Sequence, residues 1–200
     1  MLRIVEKFKS IQTEGKHAGT PATFIRLFGC NLQCDFGDGL YCDESKHEDK
    51  SFIVKHTEME TIKYCEGIRH VVITGGEPSL QDLNEFILEL QNRGHYVQIE
   101  TNGTNIDNIK SADWITYSPK HLWDDKAPRL GSRFHELKLL ASEKNPPNVE
   151  EWHSVKNKYI QPIGLADGWD MNNVKWCAEW LLHNRGWKLS LQTHKIIGLE

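Results

Sequence analysis

The sequence predicts an α/β fold in which a mainly parallel sheet curls into an incomplete barrel. Short apolar runs rich in β-branched, aromatic or leucine residues recur along the chain and predict strands. Helical patterns lie between several of these runs, and that order favours parallel pairing with right-handed crossovers. Small, polar and turn-forming residues follow several strands, at the edge where such folds place their function. About six parallel strands suffice for a barrel that does not close.

Seven runs predict strands because they are short and apolar, and most have Gly, Pro or Asn near their ends. They cover residues 22–28, 70–74, 95–100, 113–117, 136–140, 158–163 and 188–192.

Three segments between these runs predict helices. Residues 80–93 carry apolar side chains at helical spacing and are followed by Gly94 as a stop signal. Residues 171–185 show the same spacing and are followed by Gly186, and residues 56–66 give a weaker helical pattern.

Length and charge limit the classes of function. The chain has 200 residues, which suits a single domain over residues 1–200. Its formal charge of −4 predicts no general attraction to nucleic acid or to an anionic membrane surface. No run of about 18 apolar residues appears, and the N-terminus lacks the apolar centre of a signal peptide. A cytoplasmic location is therefore expected.

Three of the five cysteines crowd into thirteen residues, with the spacing Cys30-x3-Cys34-x7-Cys42. Thiolates are soft ligands that suit iron–sulfur clusters or zinc. Three cysteines would leave one iron of a four-iron cluster without a protein ligand, where a small molecule can bind. A structural zinc site completed by the nearby His47 is the alternative, and the spacing alone does not separate the two.

A glycine-rich turn follows the strand predicted at residues 70–74. Gly75 and Gly76 allow positive φ and close approach of the backbone to a ligand. Glu77 can accept hydrogen bonds from an ammonium group, and Pro78 stiffens the turn. The alternative is a plain connection in which the Glu77 charge favours a helix N-terminus.

The cysteine cluster and this turn together resemble the radical S-adenosylmethionine superfamily. The usual signature of that superfamily is Cys-x3-Cys-x2-Cys with an aromatic residue before the last cysteine, which Tyr41 matches here. Five additional residues separate Cys34 from Cys42, and loop-closure entropy grows slowly enough with length to permit such an insertion. The resemblance implies a 4Fe–4S cluster and bound S-adenosylmethionine.

Motifs along almost the whole chain are similar to those of the 7-carboxy-7-deazaguanine synthase family. They read FKSIQTEGKHAGTPATFIRLFGCNLQC, TGGEPSLQ, IETNGT, SPK, KYIQPI and LSLQTHK. Thr13 replaces a glycine of the family pattern near the start, so backbone contact there can differ.

This resemblance implies a lyase reaction of queuosine-type biosynthesis. A 5′-deoxyadenosyl radical takes hydrogen from C6 of 6-carboxy-5,6,7,8-tetrahydropterin, the ring contracts, ammonia leaves and 7-carboxy-7-deazaguanine forms. The cofactors carry the chemistry, while the protein positions the substrate and excludes water.

Site residues follow from the matched family positions. The expected iron ligands are Cys30, Cys34 and Cys42. Residues expected to bind S-adenosylmethionine are Tyr41, Asp43, Gly75, Gly76, Glu77, Ser118, Pro119, Lys120, Gln161, Pro162, Ile163 and Gly164. Residues expected at the pterin are Ile11, Gln12, Thr13, Glu14, Arg26, Thr74, Gln192 and His194. A guanidinium such as that of Arg26 can pair with the substrate carboxylate, although a structural ion pair is the alternative.

The resemblance also implies partners. Relatives hold magnesium beside the last cysteine through a Ser or Thr, where this chain has Glu44. A carboxylate is a suitable magnesium ligand, and the alternatives are loss of the ion or a salt bridge from Glu44 to a nearby lysine. A flavodoxin or ferredoxin is the expected electron donor, and a homodimer is the expected assembly.

Two other functions share parts of the pattern. A glycyl-radical activating enzyme would share the cysteines and the Gly-Gly-Glu-Pro turn without requiring Arg26, Gln12 or Glu14. A non-enzymatic, zinc-stabilised α/β module would use the cysteines alone, and metal analysis separates it from an iron–sulfur enzyme. A chain whose inserted loop has abolished catalysis while ligand binding remains is a third possibility.

Overall fold

The computed structural model describes residues 2–37, 40–42, 53, 57–120, 133–164 and 168–199. The strands in this part of the chain are β1 Ile4–Gln12, β2 Thr20–Leu27, β3 Asp35–Gly37, β4 Leu40–Tyr41, β5 His70–Gly75, β6 Tyr96–Thr101, β7 Trp114–Tyr117, β8 Glu136–Ala141, β9 Lys158–Pro162 and β10 Lys188–Leu189. The α-helices are α1 Glu58–Cys65, α2 Asn84–Asn92, α3 Met171–His183 and the short α4 His194–Ile197.

Eight of these strands form one sheet in the order β1-β2-β5-β6-β7-β8-β9-β10. β1 runs antiparallel to β2, and each remaining pair of neighbours is parallel. Within the described residues β1 and β10 are the two edges and do not pair with each other. This topology confirms the predicted α/β class with an open, mainly parallel sheet.

The two faces of the sheet differ because side chains alternate along each strand. On β5, Val71 and Ile73 join the main apolar core, together with residues of α1 and α2 such as Ile62 and Leu90. Val72 and Thr74 of the same strand point to the opposite face and line a cavity. Helices therefore cover one face of the sheet, and the other face forms the inside of the open barrel.

Local signals define where the helices begin. Thr57 caps α1 in a reciprocal capping box with Glu60, and the Asp170 carboxylate accepts from two backbone N–H groups at the start of α3. Asn173 of α3 donates through its side chain to the carbonyl oxygens of Ala141 and Ile163, at 3.0 and 3.1 Å. These bonds fix α3 against the ends of β8 and β9.

The strands β3 and β4 and the helix α4 were not predicted, and the elements differ from the sequence prediction in three further places. No element was assigned to residues 4–12, which form the edge strand β1, because its lysines and glutamate interrupt the apolar pattern. The helix predicted from residue 80 begins at Asn84, since residues 78–80 form a 3-10 turn. The strand predicted over 188–192 pairs only at Lys188 and Leu189.

No helix in the described ranges is long and apolar enough to cross a membrane.

Candidate active site

A cavity of about 410 Å³ lies where the parallel strands end at their carboxyl edges. Its wall includes Gly75 at the end of β5, Thr101 at the end of β6, Ser118 after β7 and Pro162 at the end of β9. Ligand sites of open parallel sheets lie at this edge, because the loops that follow the strands converge there. The cavity therefore has the position that the fold assigns to function.

The three clustered cysteines all line this cavity. Cys34 is buried, Cys30 is half-buried and Cys42 is exposed. Strands β3 and β4, which lie between Cys34 and Cys42, pair antiparallel as a hairpin with Asp35 opposite Tyr41. As a result, the Cys42 N–H donates to the Cys34 carbonyl oxygen at 3.3 Å. The pairing of β3 with β4 thus returns Cys42 to the side of Cys34.

The cysteine loop offers thiolates, which suit an iron–sulfur cluster. Within the described ranges, no three His, Cys, Asp or Glu side chains are grouped so that they could hold a metal ion. The three cysteines share a cavity wall, as a cubane whose irons are held by separate thiolates requires. Burial raises the pKa of the Cys30 thiol, and its Sγ accepts from the Leu32 N–H at 3.5 Å. The positive charge of a bound iron would stabilise the thiolate that burial disfavours.

The Gly-Gly-Glu-Pro turn packs directly on the start of the cysteine loop. Gly75 has φ +126°, and a Cβ there would lie 2.3 Å from the Leu27 carbonyl oxygen. The Gly76 N–H donates to that same oxygen at 3.2 Å, and the Glu77 N–H donates to the Gly29 carbonyl oxygen at 2.8 Å. Only glycine permits this approach, which brings the backbone at 75–76 to the cavity.

The Glu77 carboxylate lies behind the cavity wall instead of facing the cavity. Its side chain is fully buried and accepts from the Ser79 N–H at 2.9 Å, the Thr101 hydroxyl at 2.6 Å and the Asn102 N–H at 2.6 Å. Burial raises the pKa of Glu77 in spite of these three donors. In this arrangement the carboxylate joins the turn to the end of β6, and the backbone at Gly75 and Gly76 is what the turn presents to a ligand.

Most residues expected at the nucleoside are on the cavity wall. They are Ser118, Lys120, Gln161, Pro162, Ile163 and Gly164. Lys120 Nζ donates to the Ser118 carbonyl oxygen at 3.0 Å, and burial lowers the pKa of this lysine. Pro119 is not part of the described wall. Asp43 and Glu44 lie outside the described residues, as does the side chain of Tyr41.

All eight residues expected at the pterin line the same cavity. They are Ile11, Gln12, Thr13, Glu14, Arg26, Thr74, Gln192 and His194. Arg26, on β2, donates from Nε to the Glu6 carboxylate at 3.0 Å and has its guanidinium over the Phe8 ring. An ion pair therefore holds this guanidinium at the wall, so the two interpretations of Arg26 are compatible.

The loop after β1 crosses to the opposite edge of the sheet. The Gln12 Oε1 accepts from the N–H groups of Thr13 and Glu14, at 2.9 and 3.1 Å, and shapes the loop. The Thr13 hydroxyl is 2.7 Å from His194 Nδ1, and the Gly15 N–H donates to Ser190 Oγ at 3.1 Å. These contacts connect the β1 edge to the C-terminal segment across the gap in the open barrel.

Sequence reasoning missed a buried charge cluster at the wall of the cavity. Lys138, on β8, donates to Glu14 and to Glu100, the latter at 2.9 Å, and all three residues line the cavity. Glu136, two residues earlier on β8, accepts from the Lys16 N–H at 2.9 Å. The signal was available, because ionisable residues that alternate with leucine in an otherwise apolar strand place charge on its inner face.

Comparisons with known proteins agree with this geometry. The Radical SAM superfamily profile matches residues 24–139, which is more than half of the chain. A 7-carboxy-7-deazaguanine synthase of Bacteroides thetaiotaomicron is 36% identical over 201 residues, covering 100% of each chain. One from Synechocystis is 34% identical, covering 98% of this chain and 93% of its own. This chain belongs to the 7-carboxy-7-deazaguanine synthase family.

The fold of this chain is also similar to that of a solved structure. The crystal structure of QueE from Escherichia coli matches with a TM-score of 0.72 and 28% identity, covering 96% of this chain and 94% of that one. Membership in the 7-carboxy-7-deazaguanine synthase family confirms the radical S-adenosylmethionine enzyme predicted from the motifs. The superfamily uses a 4Fe–4S cluster and S-adenosylmethionine, and the cysteines and glycine-rich turn fit both groups.

Proposed function

We propose that this chain converts 6-carboxy-5,6,7,8-tetrahydropterin to 7-carboxy-7-deazaguanine with release of ammonia, as a carbon–nitrogen lyase of queuosine-type biosynthesis. The observation that carries the proposal is one cavity that contains both sets of expected residues. The three cysteines and the glycine-rich turn line it together with the eight residues assigned to the pterin. A rival activating enzyme for a protein partner has no need of that second set.

The two ends of the substrate require opposite partners. The pterin carboxylate is an anion, and Arg26 offers it a guanidinium that Glu6 and the Phe8 ring hold in place. The pterin ring presents N–H donors and acceptors, which Gln12 and Glu14 can match. The wall residue Thr74 adds a hydroxyl at the end of β5.

Cofactor binding is assigned to the cysteine side of the cavity. When bound, the cluster and S-adenosylmethionine supply the radical that starts the reaction. Cys30, Cys34 and Cys42 would hold three irons, and the backbone at Gly75 and Gly76 would receive the methionine end. The nucleoside would lie along the wall formed by Ser118, Lys120, Gln161, Pro162, Ile163 and Gly164.

The remaining parts of the proposal rest on family resemblance. Asp43 and Tyr41 would contact the cofactor, and Glu44 would act as a magnesium ligand in place of the usual Ser or Thr. A flavodoxin or ferredoxin would deliver the electron. The chain would act as a homodimer, which size-exclusion chromatography with light scattering measures directly.

Anaerobic reconstitution followed by turnover tests the proposed function. We expect about four irons per chain with matching sulfide. We also expect product at the mass of 7-carboxy-7-deazaguanine after addition of the carboxypterin, S-adenosylmethionine and a reductant. A single zinc per chain, or cleavage of S-adenosylmethionine with no change in the pterin, would contradict the proposal. Omission of magnesium from a chelated preparation tests the assignment of that ion.

A further inference from the structure

We infer that Lys138 is a positioning residue of the pterin site, which holds the Glu14 and Glu100 carboxylates side by side as hydrogen-bond acceptors for the N–H groups of the substrate ring. The inference rests on the proposed function and deepens it. It assigns a role to two residues, Lys138 and Glu100, that the motif comparison left without one.

The geometry places one ammonium group between two carboxylates from distant parts of the chain. Lys138 lies on β8, Glu100 lies on β6, and Glu14 lies in the loop after β1. Only 8% of the Lys138 side chain is exposed, against 15% for Glu14 and 17% for Glu100. The lysine is therefore the more enclosed partner, and the carboxylates are the groups that a ligand in the cavity would meet.

Neighbouring amides fix the orientation of Glu100. Its Oε1 accepts from Gln98 Nε2 at 2.7 Å and lies 3.5 Å from Gln12 Nε2, while its Oε2 accepts from Lys138 at 2.9 Å. Gln98 is itself held by His17 and His70, whose ring nitrogens lie 2.8 and 2.9 Å from its Oε1. Each carboxylate oxygen has two lone pairs, so this arrangement leaves acceptor capacity for a ligand.

The charges in the cluster keep Glu14 in the ionised form, which accepts hydrogen bonds and does not donate them. Two carboxylates, those of Glu14 and Glu100, contact the Lys138 ammonium, and that of Glu136 lies two residues earlier on the same strand. Burial alone would raise the pKa of Glu14, yet the Lys138 ammonium outweighs it and the pKa lies below its ordinary value. Burial alone would lower the pKa of Lys138, and the two carboxylates raise it instead. The lysine is thus a fixed charge that keeps Glu14 ionised, not a proton donor.

The substrate has the complementary pattern of charge and donors. An aminopyrimidinone ring carries an exocyclic amine and ring N–H groups, which a pair of carboxylates can accept in a bidentate manner. Its carboxylate group requires a cation, which Arg26 supplies elsewhere on the cavity wall. Loss of Lys138 would leave two buried carboxylates facing each other without a counter-charge, and the acceptor pair would be lost.

The test compares Lys138→Met and Lys138→Arg with the wild-type holoenzyme, and with Lys110→Met as a control on an exposed lysine. We expect Lys138→Met to raise the KM for the carboxypterin by about tenfold or more, as removal of a buried charged partner does. Iron content and cleavage of S-adenosylmethionine without substrate should stay within about twofold of the wild type. Lys138→Arg should recover part of the loss.

A pH series separates positioning from a merely structural role. Without the ammonium, burial dominates the environment of Glu14, and its pKa rises. The ratio of the Lys138→Met KM to the wild-type KM should therefore fall as the pH increases from about 6.5 to about 9. The titratable groups that face the pair are Glu136 on β8, His17 in the loop after β1, His194 on α4 and Lys120 after β7. Glu136 has a pKa of about 7 that Lys138 itself lowers, so the series is run with Glu136→Gln in both proteins to remove its contribution.

Direct binding of the fluorescent, fully oxidised 6-carboxypterin keeps this inference distinct from the proposed function. If the wild type binds this probe and Lys138→Met does not, the inference stands even where turnover fails. If the KM or the probe affinity is unchanged in Lys138→Met, if the KM ratio is independent of pH, or if iron content and cleavage fall together with pterin affinity, Lys138 is structural and the inference is overturned. A wild type that neither turns over the carboxypterin nor binds the probe overturns both.

Discussion

Arg26 combines a structural ion pair with a position on the cavity wall. We expect Arg26→Ala to raise the KM for the carboxypterin by about tenfold to a hundredfold, because it removes charge-assisted hydrogen bonds of about 1.5–3 kcal/mol. Cleavage of S-adenosylmethionine without substrate should change by less than about threefold. Steady-state assays of both reactions provide the measurement, and Arg93→Ala, which breaks an exposed pair with Glu89, is the control. Equal losses in the two reactions would show that Arg26 supports the fold instead.

Glu136 gives the charge cluster a measurable dependence on pH. Burial, with a smaller contribution from the Glu100 carboxylate, raises the pKa of Glu136 to about 7. The pKa of a glutamate in an unfolded chain is about 4.3. Between that value and about 7, the folded state binds more protons than the unfolded state, so the free energy of unfolding falls as pH rises. Glu136→Gln cannot lose this proton.

We therefore expect the free energy of unfolding of the wild type to fall by about 3 kcal/mol relative to Glu136→Gln between about pH 4.5 and about pH 8. Urea titrations across this range measure the difference, with the exposed Glu143→Gln as the control. A difference that is flat with pH would mean that Glu136 is ionised as readily as a surface carboxylate.

At the scale of the elements, the hairpin of β3 and β4 decides whether Cys42 reaches the cluster. We expect Cys42→Ala to lose most of the iron bound by the wild type and to cleave no S-adenosylmethionine. Cys65→Ala and Cys177→Ala should retain iron, since both thiols are buried in helices among apolar residues. Iron and sulfide analysis after anaerobic reconstitution distinguishes the three variants. Full iron content in Cys42→Ala would remove that residue from the ligand set.

The strands that sequence predicted well are those whose two faces are both enclosed. β5 reads as a continuous apolar run because helices cover one side and the cavity lies on the other. β1 was missed because its lysines and glutamate, typical of an edge strand, break that signal. Edge strands are recognised by their pairing partner, here β2, and one sequence does not contain that information.

The candidate site, like the strands, has a part that the sequence predicted and a part that it did not. Residues that match a motif were found in the sequence, and the structure places most of them on one cavity wall. Lys138 belongs to no such motif, and Glu100 lies in the IETNGT motif without a role assigned to it. Only tertiary structure brings these β6 and β8 side chains to the same point. The sequence also did not predict that the Glu77 carboxylate points away from the cavity, because this direction depends on donors from residues 101–102.

For the whole molecule, the important feature is how the two edges of the open sheet are joined. The Thr13 hydroxyl meets His194 while Gly15 donates to Ser190, so residues near both ends of the sheet enclose the cavity. Thr13 is 6% exposed, and this hydrogen bond is the contact through which its hydroxyl reaches α4.

We expect Thr13→Val to loosen the C-terminal segment while the fold is retained. Loss of one hydrogen bond of about 1 kcal/mol should speed amide exchange of residues 194–197 by roughly fivefold. Hydrogen–deuterium exchange with mass spectrometry measures this, and a peptide from α2 serves as the internal control. Unchanged exchange in the C-terminal peptide would show that other contacts hold this edge.

The hairpin between Cys34 and Cys42 also bears on how relatives are recognised. The two arms pair antiparallel with a register shift between Asp35 and Gly37, so residues can be added to the arms in even or odd number without moving either thiol. A pattern search that demands two residues between these cysteines would overlook such a chain. Tolerating a range of spacings between these cysteines, or matching the backbone bond that links them, would recover it.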